Sequence, residues 1–90
     1  MKRYLIEREI AGVGHLDREQ LKGAAKTSNT ALAMLAGKVQ WVQSFVAADK
    51  TFCVYLAEDE AAVHEHASLS GFPASRVTEL RGVIDPMTAS

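Results

Sequence analysis

Apolar and polar side chains alternate over the first ten residues, with Tyr4, Ile6, Arg8 and Ile10 on one side and Arg3, Leu5, Glu7 and Glu9 on the other. A period of two predicts a strand. Gly12 and Gly14 break the pattern, and a helix start follows. Asp17 caps the first turn, Gln20 reaches back to the Asp17 amide, and Leu16 and Leu21 stand at the flanking staple positions. Leu21, Ala25, Ser28, Leu32 and Leu35 then recur at helical spacing on one face, and Gly37 supplies the stop.

Residues 39–46 and 51–56 are rich in β-branched and aromatic side chains, with polar Asp49-Lys50 between them, and predict a hairpin. An even-numbered connection pairs Gln43 near Val54 and Phe45 near Phe52. Trp41, Gln43, Phe45, Phe52, Val54 and Leu56 then share a face, and Val42, Ser44, Val46, Cys53 and Tyr55 share the other. Acidic Glu58-Asp59-Glu60 opens a second helix that runs to Ser70, where Gly71 and Pro73 end it. A last strand over residues 76–84 stops at Asp85-Pro86. The order β-α-β-β-α-β is the ferredoxin-like plait, an α+β fold with a four-stranded antiparallel sheet and two helices on one face. Two helices cover one face, so an apolar second face needs a partner. A homodimer formed through the sheet is the physical consequence.

Composition narrows the partners. Ninety residues suffice for one domain spanning 1–90, with 48% hydrophobic and 23% charged residues, an ordinary globular balance. A formal net charge of −1 provides no field to hold nucleic acid. Glu7, Arg8 and Glu9 interrupt the N-terminus before an apolar signal segment develops, and no apolar run is long enough to span a bilayer. A single cysteine, Cys53, rules out an internal disulfide and a cysteine-rich metal site. A cytoplasmic protein without membrane contact is expected.

The candidate chemistry centres on a few polar residues. His64 and His66 are two apart on a helix, about 200° in rotation, so they do not chelate one ion together. His66 shares an inward stripe with Val63, Ala67 and Ser70. It is either a core histidine hydrogen-bonded to backbone or a metal ligand or acid-base group. His64 is expected in solvent and His15 in a loop. Gln43 is the polar exception in an apolar strand, either orienting a ligand or satisfied in a dimer interface, and Glu7 holds a similar place on the first strand. Trp41, Phe45 and Tyr55 are candidates to line a ligand pocket. Cys53 has no basic neighbour in sequence and is expected to be inert. Gly12-Val13-Gly14 lacks the third glycine of a dinucleotide loop and is followed by acidic Asp17.

Four segments taken together carry a resemblance: Val39-Gln40-Trp41-Val42-Gln43-Ser44-Phe45-Val46, Phe52-Cys53-Val54-Tyr55, Glu65-His66-Ala67 through Gly71-Phe72-Pro73-Ala74, and Val83-Ile84-Asp85-Pro86. In this order they resemble the small bacterial nickel-binding-protein-like family, a domain of unknown function, from Tyr4 to about Ala89. The resemblance implies a ferredoxin-like homodimer and, for part of the family, nickel held by side chains that include histidine. On that basis His66 is the first candidate metal ligand; Gln43 and Glu7, singled out as polar strand residues, are the further candidates. Gln43 stands where family members often carry histidine, and an amide is the weaker ligand for a divalent transition metal. Three functions stay open: a metal- or small-ligand-binding homodimer without turnover, a cofactor-independent enzyme of the dimeric α/β-barrel type using His66 and Gln43, and a plain interaction module. The enzyme requires one cavity holding both residues.

Overall fold

The computed structural model describes Met1–Ser90. Its elements are β1 (Lys2–Glu9), α1 (Arg18–Ala33), β2 (Val39–Val46), β3 (Lys50–Ala57), α2 (Glu60–Ser70) and β4 (Arg76–Leu80), with short 3-10 turns at Val13–His15 and Pro86–Ala89. The four strands form one antiparallel sheet in the order β2-β3-β1-β4. This is the ferredoxin-like α+β arrangement. β4 is shorter than the pattern of 76–84 suggests: pairing with β1 ends at Arg3↔Leu80, and the apolar Val83 and Ile84 lie exposed beyond it.

Local chemistry explains both helix starts. At α1 the Asp17 side chain accepts from the Gln20 amide and the Gln20 side chain accepts from the Asp17 amide, both at 2.9 Å, closing the capping box. At α2 Asp59 accepts from the Ala62 amide at 2.9 Å, and Gly71 ends the helix at φ 78°, a conformation that glycine adopts without a Cβ clash. Before α1, the Gly14 amide donates to the Ala48 carbonyl at 2.8 Å and the Gly12 amide to Asp49 Oδ1 at 2.8 Å. Those amides are therefore committed to the β2–β3 hairpin and do not form a phosphate cradle.

The core lies between the helices and one sheet face. Tyr4 and Ile6 of β1, Val39 of β2, and Cys53, Tyr55 and Ala57 of β3 pack there with Leu35, Ala62 and Val63. The opposite face carries Leu5, Glu7, Gln43, Phe45, Phe52, Val54 and Leu56, and neither helix covers it. Gln43 pairs with Val54 and Phe45 with Phe52, as the even connection requires. Trp41 departs from that alternation. A register shift between Trp41 and Gln43 leaves Val42 as an extra residue, so Trp41 pairs with Tyr55 and turns to the helix face. There its indole Nε1 donates to Ser44 Oγ at 3.0 Å. The expected grouping of Trp41 with Phe45 is thus corrected by a β-bulge.

Candidate functional site

Four polar side chains meet beneath the helices: Arg8 from β1, Ser28 from α1, Tyr55 from β3 and His66 from α2. Each reaches the same layer for a local reason. Arg8 follows Tyr4 and Ile6 at period two, and Tyr55 follows Cys53 in the same way. Ser28 lies on the buried stripe of α1 with Ala31, and His66 lies on that of α2 with Ala62, Val63 and Ala67. His66 is 1% exposed and Arg8 2% exposed, so this is a polar cluster inside the protein.

Ser28 Oγ is its hinge, 3.2 Å from His66 Nε2 and 3.4 Å from the Tyr55 hydroxyl. The Tyr55 and His66 rings sit 5.0 Å apart between centroids at 50°. The Arg8 guanidinium carbon stands 5.9 Å from the Tyr55 ring centre and 5.8 Å from that of Phe72, within cation–π range. Arg8 Nη1 donates to the Pro73 carbonyl at 2.7 Å, which ties the segment after α2 to the sheet. Burial lowers the His66 pKa from its ordinary value, and the Arg8 charge lowers it further, against a smaller opposing effect of a hydrogen bond with the Ser28 backbone. Burial raises the Tyr55 pKa, opposed by hydrogen bonding from Ser28 and by Arg8. The imidazole is therefore held neutral and the phenol protonated.

The expected metal ligands do not converge. His66 is beneath the helices, whereas Glu7 and Gln43 belong to the uncovered face. The Glu7 carboxylate already faces two cations there, Lys50 Nζ at 3.4 Å and Arg76 Nε at 3.9 Å. No group of three or more His, Cys, Asp or Glu side chains is placed to hold one ion. A cation at His66 also meets the Arg8 charge, so the donor set beneath the helices does not fit nickel within one chain. The expected pocket lining divides likewise: Trp41 and Tyr55 face the helices, and Phe45 lies on the far face, 55% exposed. His66 and Gln43 share no cavity, which removes the geometry that the two-residue enzyme requires. His64, expected in solvent, is exposed and its Nε2 donates to Glu60 Oε2 at 3.2 Å one turn away.

Sequence reading missed Arg8 and Ser28 as members of the cluster. The signal was present: both are polar residues on stripes that are otherwise apolar, Arg8 after Tyr4 and Ile6, and Ser28 between Ala25 and Leu32. A long basic side chain is ordinarily assumed to snorkel to water, which hid the one that does not.

A search of curated protein sequences gives no match. Among solved structures, the chain is similar to the crystal structure of SCO4226 from Streptomyces coelicolor A3(2), with a TM-score of 0.73 at 17% identity, over 91% of this chain and 99% of that one. At that identity the likeness establishes the fold. The family model described as "Nickel responsive protein SCO4226-like" matches residues 4–80, which contain β1 from Tyr4 onward, the other three strands, both helices and the polar cluster, and the chain belongs to that family.

Proposed function

We propose that the chain is a nickel-responsive binding protein without catalytic turnover, active in the reducing cytoplasm as a homodimer closed across its uncovered sheet face. The observation that carries this reading is that face itself. Phe45 is 55% exposed beside half-buried Phe52, Val54, Leu56 and Leu5, a continuous apolar surface that water covers poorly and a second copy covers well. The metal part rests on family membership, and the separation of His66 from Glu7 and Gln43 supports a reading in which the donors lie on the uncovered face. Donors within one chain are insufficient, but a face-to-face dimer brings Glu7 and Gln43 of both copies into one interface. His66, buried on the other side, has no part in it.

The test combines light scattering during size exclusion with calorimetric titration of nickel. Wild type is expected to run as a dimer at micromolar concentration and to bind nickel. Phe45→Glu is expected to be a monomer that binds nickel weakly. Gln43→Ala and Glu7→Gln are expected to lower nickel affinity in the dimer, and His66→Ala to leave it intact. A wild-type monomer overturns the dimer, absence of heat on titration overturns the metal, and loss of binding in folded His66→Ala overturns the placement of the donors.

A further inference from the structure

Arg8 is the one buried charge in the polar cluster, and nothing in the chain neutralises it. Its neighbours in sequence, Glu7 and Glu9, point to the opposite face, and none of the ion pairs of the chain includes Arg8. Nη1 is satisfied by the Pro73 carbonyl, yet Nη2 is fully buried with no hydrogen-bond partner. Taking a guanidinium out of water without an acceptor is among the more costly arrangements in a folded protein, and buried charges are accordingly found paired. A planar fork with one tooth free is the geometry that proteins use to grip carboxylates and phosphates.

We infer that Arg8 anchors an internal oxyanion site, in which Nη2 and the hydroxyls of Tyr55 and Ser28 take a small carboxylate or phosphate-like anion. The surrounding groups suit that class of ligand. Tyr55 and Ser28 both carry hydroxyl hydrogens able to turn toward an acceptor, and neutral His66 adds no negative charge to repel one. The layer contains no carboxylate, so an anion meets only donors and a cation. Phe72 bounds the cluster on the side of Arg8. This half-buried ring stacks over Arg8 from residues 71–75, a stretch without helix or strand that is held to the sheet by the bond from Arg8 to Pro73, the Ser75 amide to the Glu7 carbonyl at 2.9 Å, and the Glu9 amide to Ser75 Oγ at 3.0 Å. The site is on the helix side of the sheet and does not depend on nickel or on dimerisation.

The test uses the full chain, titrated with acetate, succinate, inorganic phosphate and sulfate against chloride at constant ionic strength. Thermal unfolding and the Arg8 Nε–Hε signal in a nitrogen-correlated NMR spectrum are followed. At least one oxyanion is expected to raise the unfolding temperature saturably and to move the Arg8 signal, and which arm responds tells a carboxylate from a phosphate-like ligand. Arg8→Lys keeps the charge but loses the fork, and is expected to bind that anion roughly tenfold or more weakly. Tyr55→Phe is expected to weaken it with Arg8 still in place. If no oxyanion exceeds chloride in either readout, or if folded Arg8→Lys responds as wild type does, the site is refuted.

Discussion

Acidification should destabilise this protein through one side chain, His66. Folded, its pKa lies below the ordinary 6.5, first because burial removes water from the charged ring and second because the Arg8 guanidinium repels a further positive charge. Unfolded, the imidazole returns to about 6.5. Between those two values the unfolded chain binds a proton that the folded chain declines, so unfolding free energy rises with pH. The contribution is complete above the unfolded pKa and is lost as pH falls toward the folded one. One proton is at stake, which sets a ceiling of about 1.4 kcal/mol per pH unit. For a chain of this size each kcal/mol moves the unfolding temperature by roughly 4–8 °C, so the effect is well within measurement. The groups facing His66 are Arg8, Ser28 and Tyr55, and no carboxylate among them titrates in the same window. Urea unfolding of wild type and His66→Gln between about pH 5.5 and 7.5 isolates the term, because exposed His15 and His64 are common to both proteins. Wild type should lose stability on acidification more steeply than the variant. Parallel profiles, or a wild type that gains stability as pH falls, would refute the assignment of His66 as a buried neutral base.

Two further substitutions probe how the frame around the cluster is held. Gly14→Ala should destabilise by about 1–3 kcal/mol in urea unfolding, since a Cβ there stands 2.7 Å from the Ala47 carbonyl oxygen and the Ala48 Cα, both backbone atoms that cannot rotate away. Asp17→Ala should cost about 1 kcal/mol by the same measurement and loosen the first turn of α1 in amide exchange, because it removes the acceptor for the Gln20 amide.

The parts of this fold that local chemistry decides were legible in the sequence. The Asp17–Gln20 capping box, the start of α2 within the acidic run 58–60 and its Gly71 stop, the β2–β3 pairing of Gln43 with Val54 and the inward placement of His66 all follow from spacing and residue type over a few positions. The parts decided by tertiary contact were not. Nothing in Trp41-Val42-Gln43 marks a bulge, because all three residues suit a regular strand. The extra residue is accommodated where the indole can reach Ser44. The end of β4 was similarly hidden, since Val83 and Ile84 continue the apolar pattern after β1 has run out of residues to pair with them. The candidate site divided along the same line. His66 was found from its helix stripe, but its partners come from three other elements, and only the sheet order brings Arg8 and Tyr55 onto adjacent strands beneath it.

The bulge at Val42 also bears on colloidal behaviour. β2 is an outer strand of the sheet, eight residues long and carrying exposed Val42, Phe45 and Val46, the composition of a strand that invites another chain to add alongside. An extra residue near its middle breaks the even row of free amides and carbonyls and increases the local twist. A straight incoming strand then cannot keep its hydrogen bonds in step along the whole edge. Growth of the sheet sideways into fibrils is discouraged, while the uncovered face is left available for pairing.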